Sequence, residues 1–285
     1  MSSIAENLKN AAALLSQSGV AEPRREAASL LAFALEKDRT FLVAHSERDL
    51  SPEEEARFGA FVARRARREP FQYIVGRQEF YNLDFLVTPD VLIPRPETEL
   101  LVDNAIEILR GKDSPSFCEV GIGSGCVSIS ILNSLNAARA VGFDISERAL
   151  QIAEKNAERH QVSERLDLKI SNVFDALGDA NFDLIVSNPP YIARAEVENL
   201  QAEVRDYEPE AALTDEADGF SIIEKIIDGA PRFLKPRAFL LLEIGFGQAR
   251  RVREMFAARR NLWRAVEILP DLQGIERAVK AQIGG

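Results

Sequence analysis

Downstream of Pro96 the chain alternates short apolar runs with longer stretches of helical period, and this alternation narrows the possible folds more than any other feature. Strands are predicted at Phe117 to Val120, Ala140 to Phe143, Leu166 to Ile170, Leu184 to Val186 and Phe239 to Ile244. Helices are predicted at Glu97 to Leu109, Ser146 to His160 and Ser221 to Phe233. Near-continuous apolar strands have no face to show to water, so they imply a parallel sheet covered by helices on both sides, an α/β fold. Two more strands, around Ala265 to Leu269 and Glu276 to Val279, read as an antiparallel pair closing one edge.

Upstream the texture differs. From Ile4 to Pro70 apolar residues recur at three and four spacing, as in Leu8, Ala12, Leu15 and again Ala27, Leu30, Leu31, Ala34, Leu35. Pro23 and Pro52 stand where helices start, the latter behind Ser51 as a cap. Glu79 to Phe80 and Asp84 to Val87, with Asn82 in the turn, read as a hairpin. The expected division is a small all-α domain over residues 1–75, a β-hairpin linker over 76–95 and a catalytic α/β domain over 96–285.

Composition excludes several classes. Of 285 residues, 46% are hydrophobic and 28% charged, an ordinary globular balance, and no run approaches the roughly 18 apolar residues of a membrane span. No leader pattern is present at the N-terminus, so a cytoplasmic location is expected. Cys118, Cys126, His45 and His160 have no zinc spacing, and no metal is expected. A net charge of -10 disfavours nucleic acid, whose binding rests on Lys and Arg neutralising phosphates. The one basic run, Arg64-Arg65-Ala66-Arg67-Arg68, reads first as the solvated end of an amphipathic helix and second as a patch for an acidic partner.

Three features carry chemistry. Glu119-Val120-Gly121-Ile122-Gly123-Ser124-Gly125 follows the first parallel strand, and its G-x-G-x-G spacing suits a nucleoside without phosphate rather than a dinucleotide. A purely structural tight turn has the same glycines. Asp144 ends the second strand, where a carboxylate accepts ribose hydroxyls or, alternatively, caps the helix near Ser146. Glu119 at the end of the first strand is either a receiver for a cationic amino group or a solvated carboxylate.

Asn188-Pro189-Pro190-Tyr191 is the most specific feature and leaves an apolar strand at the carboxyl edge of the sheet, where ligands bind. An amide nitrogen is a poor nucleophile because its lone pair is delocalised. The Asn188 side-chain oxygen and the Pro189 carbonyl can accept its two hydrogens, the prolines stiffen the loop, and Tyr191 offers a stacking surface.

Together these residues resemble the Rossmann-like class I methyltransferases that use S-adenosyl-L-methionine, and more narrowly the release-factor glutamine N5-methyltransferases. Further markers are Gly76-Arg77-Gln78-Glu79-Phe80, Leu92-Ile93-Pro94-Arg95-Pro96-Glu97-Thr98-Glu99, Glu208-Pro209 with Ala212-Leu213, and Gly274-Ile275-Glu276-Arg277. The resemblance implies methylation of the glutamine in the Gly-Gly-Gln loop of class 1 peptide-chain release factors, with S-adenosyl-L-homocysteine as product. It implies a cofactor held by Glu119, Gly121, Ile122, Gly123, Ser124, Gly125, Asp144, Asn172, Val173 and Asn188, a substrate loop from Asn188 to Tyr191, and Arg95 to Glu97 near the pocket. Where relatives often carry an acidic residue for the adenine amino group, this chain has Asn172. Competing readings are glutamine methylation of a ribosomal protein, adenine-N6 methylation of nucleic acid, and a noncatalytic cofactor-binding protein.

Overall fold

The computed structural model describes residues 2–284, and the chain forms two compact units. The first takes in the residues up to Arg77 together with Gln201–Tyr207; the second takes in Gln78–Leu200 and the residues from Glu208 on.

Five helices build the first unit: α1 (Ile4–Gln17), α2 (Pro23–Leu35), α3 (Arg39–Ala44), α4 (Pro52–Ala66) and α5 (Phe71–Val75). Pro23 and Pro52 open their helices as predicted, and Ser51 forms a full capping box with Glu54. Glu53, Glu54 and Glu55 sit at the positive end of α4 and Arg64 and Arg65 at its negative end, so the charge order favours the helix. Ile4, Leu15, Leu30, Leu31 and Phe58 form the centre of its core.

The basic run departs from both expectations. Arg65 is buried and pairs with Glu26 and with Glu203 at 2.9 Å, while Arg68 reaches the other Glu203 oxygen at 2.6 Å and Arg64 pairs with Glu69 at 2.5 Å. Only Arg67 is exposed, and its carbonyl accepts a hydrogen bond from the Tyr207 hydroxyl at 2.6 Å. The run is therefore neither a solvated helix end nor an open cationic patch. Its principal partner lies 138 residues away, in the short segment that joins this unit.

Next along the chain comes the hairpin of β1 (Arg77–Phe80) and β2 (Leu83–Leu86), turned by Tyr81 and Asn82, whose φ values of 52 and 59 give the primed turn that matches strand twist. A 3-10 turn over Pro96–Thr98 precedes α6 (Glu99–Leu109). There follow β3 (Ser116–Val120), α7 (Cys126–Ser134), β4 (Arg139–Asp144), α8 (Glu147–Arg159), β5 (Leu166–Ile170), β6 (Phe182–Ser187), α9 (Ala202–Arg205) and α10 (Glu210–Leu213). The chain ends with α11 (Ser221–Gly229), β7 (Leu234–Glu243), α12 (Ala249–Ala258), β8 (Trp263–Pro270) and β9 (Glu276–Ile283).

Seven strands form one sheet in the order β5-β4-β3-β6-β7-β9-β8. The first five run parallel, and β9 lies antiparallel between β7 and β8, which is the predicted edge pair. Leu184, Val186 and Leu241 pack into the core on one face, and Ile185, Leu240 and Leu242 into the core on the other. All six residues of β6 are buried, which explains its apolar stretch Leu184-Ile185-Val186. Each such side chain contributes about 1.5–3 kcal/mol through burial. Among the boundaries that differ from expectation, β7 begins at Leu234, its start hidden by the polar Lys235-Pro236-Arg237, α11 gives way to a 3-10 turn where Pro231 lacks an N–H, and β9 runs on to Ile283.

Candidate active site

The strand order reverses between β3 and β6, which are neighbours, with Val120 opposite Ser187. The glycine turn leaves β3 and the Asn188 loop leaves β6, so the two emerge side by side at the carboxyl edge of the sheet, the place where open parallel sheets bind ligands. Ser187 ties them, its hydroxyl donating to the Val120 carbonyl at 2.6 Å.

The turn folds over the adjacent strand. Gly121, Gly123 and Gly125 have φ of 74, 54 and 82, a region that side chains seldom enter, and the N–H groups of Gly121 and Ile122 both donate to the Phe143 carbonyl at 2.8 Å. Asp144 then accepts from the Gly123 N–H through Oδ2 and from the Ser146 N–H through Oδ1, both at 2.9 Å. Ser146, not Asp144, caps α8, its hydroxyl accepting from the Ala149 N–H at 3.2 Å. Each carboxylate oxygen of Asp144 keeps a further lone pair for a ligand hydroxyl. Asn156, fully buried on α8, clamps the turn from behind, donating to the Ser124 carbonyl at 2.8 Å and exchanging bonds with both backbone groups of Leu86.

Glu119 is not the solvated carboxylate of the alternative reading. It is 2% exposed, accepts from the Ser128 N–H at 2.9 Å, and burial pushes its carboxyl up to about 8. That bond occupies one of the free N–H groups at the start of α7, a group that a bound phosphate would otherwise use.

These groups surround a cavity of about 390 Å³. Of the residues singled out from the sequence, Glu119, Gly121, Ile122, Gly123, Ser124, Asp144, Asn172, Val173, Asn188, Pro189 and Pro190 line it; Gly125 and Tyr191 do not. Val173 has a φ of 54, an outlier for a branched side chain, and its strain sits at the cavity wall. Tyr191 turns its hydroxyl to Glu243 at 3.3 Å and packs against the core. Burial is the main reason its phenol lies well above the usual range, ahead of the neighbouring Glu243 charge.

Sequence reasoning missed Thr98 and Glu243. Thr98 lines the cavity and donates to Glu243 Oε2 at 2.7 Å, and Asn188 Nδ2 donates to the same Thr98 hydroxyl at 3.2 Å. Glu243 ends an apolar strand, the same signal that exposed Asp144; Thr98 has no such signal. Glu208, one of the markers read from the sequence, also contributes: buried, it accepts from the Ile93 N–H at 3.3 Å and from Arg95 at 2.5 Å, fixing Arg95 at the cavity.

A seven-stranded sheet of this order, with a glycine turn and an acidic strand end around one cavity, defines a methyltransferase of Rossmann-like fold. Residues 97–205 match the methyltransferase small domain and residues 6–76 the PrmC N-terminal domain. A methyltransferase from Pyrococcus furiosus shares the fold at a TM-score of 0.54 with 17% identity, covering 72% of this chain and 91% of that one. The release factor glutamine methyltransferase of Geobacter sulfurreducens is 44% identical over 270 residues, covering 95% of this chain and 93% of its own. That of Cereibacter sphaeroides is 40% identical over 279 residues, 98% of each. The chain belongs to the release factor glutamine methyltransferase family.

Proposed function

We propose that this chain transfers the methyl group of S-adenosyl-L-methionine to the side-chain amide nitrogen of a glutamine in a peptide-chain release factor, the Gly-Gly-Gln glutamine of class 1 factors. The observation that carries the proposal is the Asn188 loop. Its amide hydrogens are turned to Thr98, which leaves Oδ1, with the Pro189 carbonyl, as acceptors for a primary amide. The identity shared with release factor glutamine methyltransferases supports the same acceptor.

The cavity suits this cofactor. Glu119 is a buried carboxyl group with no cation paired to it among the described residues, which an ammonium group would hold in its ionised form, and Asp144 suits ribose hydroxyls. Val173 and Ile145 can flank a purine, with Asn172 accepting from its amino group. When bound, the cofactor supplies a methyl group on a sulfonium leaving group. The residues do the rest by alignment: Asn188 and Pro189 hold the acceptor nitrogen in line and draw density onto it through its hydrogens, and orientation supplies most of the acceleration. No strong base is needed, because the nitrogen becomes acidic once methylated. His45 stacks on Phe41 and His160 bonds the Asp84 carbonyl, so neither serves the cavity.

The helical unit is assigned to recognition of the release factor, and such a substrate places the reaction in the cytoplasm. Among the described residues no helix is long and apolar enough to cross a membrane.

The test is incubation with radiolabelled S-adenosyl-L-methionine and, separately, unmodified release factor, ribosomal protein and duplex DNA, with the label located by peptide mapping. Label is expected on the release-factor glutamine, and Asn188→Ala should retain cofactor binding while losing about 100-fold or more in transfer. Label confined to DNA or ribosomal protein would discard the acceptor.

A further inference from the structure

Glu243 closes β7 as Asp144 closes β4, yet it lies behind the cavity wall and is 4% exposed. Its carboxyl is held by two hydroxyls, Thr98 at 2.7 Å and Tyr191 at 3.3 Å. The Thr98 hydroxyl in turn lies 3.2 Å from Asn188 Nδ2. A hydroxyl has one hydrogen. Once Thr98 gives that hydrogen to a carboxylate it can only accept from Asn188, and the Asn188 amide must present nitrogen to Thr98 and oxygen to the cavity.

We infer that Thr98 and the Glu243 carboxylate are positioning residues that fix which end of the Asn188 amide meets the acceptor nitrogen. The inference rests on the acceptor proposed above, since a primary amide offers hydrogens and needs an oxygen to receive them. Neither residue touches the reacting atoms; both act through Asn188.

The chain of bonds has a direction, and a proton on Oε2, the oxygen that faces Thr98, reverses it. Glu243 protonated there donates to the Thr98 oxygen, Thr98 then donates to Asn188 Oδ1, and the flipped amide turns its NH2 group toward the NH2 group of the acceptor. The groups facing Glu243 are Thr98 and Glu97 from the 3-10 turn before α6, Tyr191 from the loop after β6, Arg277 from β9 and the Cys126 thiol from α7. Burial pushes its carboxyl up to about 7 although Thr98, Tyr191 and Arg277 oppose it. Reversal therefore falls within a range that kinetics can reach.

The test measures kcat with the full chain and unmodified release factor from about pH 5.5 to about 9, with cofactor affinity followed by calorimetry. The parent and Thr98→Ser, which keeps the hydroxyl, should gain rate as pH rises, with an apparent pKa near 7. Glu243→Gln has nothing to titrate, and Thr98→Val cuts the chain, so both should lack the acid-side limb. Thr98→Val should also lose about tenfold in kcat at high pH with KM for the cofactor unchanged, because Asn188 is no longer held in one orientation. An acid limb that survives in Glu243→Gln, or parental kcat in Thr98→Val, overturns this inference alone. A parent that labels no release factor overturns the acceptor reading, and this inference falls with it.

Discussion

Gln248 holds the loop that carries Tyr191: its side-chain N–H donates to the Tyr191 carbonyl at 2.9 Å while its oxygen accepts from the Gly245 N–H at 2.8 Å. One side chain thus joins the end of the β6 loop to the end of the β7 loop. Gln248→Ala is expected to lose about 1–2 kcal/mol of stability, since it leaves the Gly245 N–H and the Tyr191 carbonyl without a side-chain partner. Transfer should fall about tenfold with cofactor affinity unchanged. Denaturant titration and steady-state kinetics check both, and an unaltered kcat would show that the Asn188 loop keeps its geometry without this strut.

Gly219 packs against the same carbonyl. A Cβ there would stand 2.3 Å from the Tyr191 oxygen and 3.0 Å from its carbon, backbone atoms that cannot swing aside, and its φ is 81. Gly219→Ala is expected to lose on the order of 3 kcal/mol and most of the activity. Gly178→Ala, where nothing lies within 4 Å, is the matched control and should melt like the parent.

Glu119 makes the ligand-free protein sensitive to pH. Its carboxyl sits at about 8 in the folded chain against an ordinary value of 4.5, so in that window the folded state still holds a proton that the unfolded state has released. Its contribution to stability is full below the lower value and is lost as pH rises toward the upper one. Glu119→Gln cannot lose the proton, so without cofactor the variant should be as stable as the parent at low pH and more stable by on the order of 3 kcal/mol near pH 8. The same variant should bind S-adenosyl-L-methionine more weakly. Melting curves across that range, and calorimetry, decide; a stability difference that does not change with pH would place the Glu119 titration elsewhere.

Arg65 is the buried cation of the helical unit, 5% exposed at its side chain and facing Glu26 and Glu203. Arg65→Met removes the charge and strands Glu26, while Glu203 keeps Arg68, and a loss of roughly 3 kcal/mol is expected in denaturant unfolding. Glu203→Gln should be milder, because Glu26 remains to pair with Arg65. Equal losses in the two variants would contradict the pairing.

Much of the molecule is legible in the order of its residues. Apolar runs buried on both faces name the parallel strands, glycines at a strand end name a turn that needs left-handed backbone, and the two prolines after Asn188 name a stiff loop. These are local properties, and periodicity reports them directly. The basic run misled because charge in sequence says nothing of distant partners: Arg65 and Arg68 meet Glu203 only after the chain has crossed most of the sheet. Tyr191 misled for a related reason, since its hydroxyl is drawn to Glu243, 52 positions on, rather than left at the cavity wall.

The sequence by itself determined the fold class, the sheet edge at which the site forms, and the residues Asp144 and Asn188 that face it, because each follows from a pattern within one strand and the loop after it. The tertiary structure decided how those residues are held: Glu119 buried, Asn156 clamping the turn, Glu208 fixing Arg95, and the Thr98 hydroxyl bridging Glu243 and Asn188. Hydrogen-bond direction depends on atoms brought within about 3 Å across the fold, and separation along the chain carries no record of that distance.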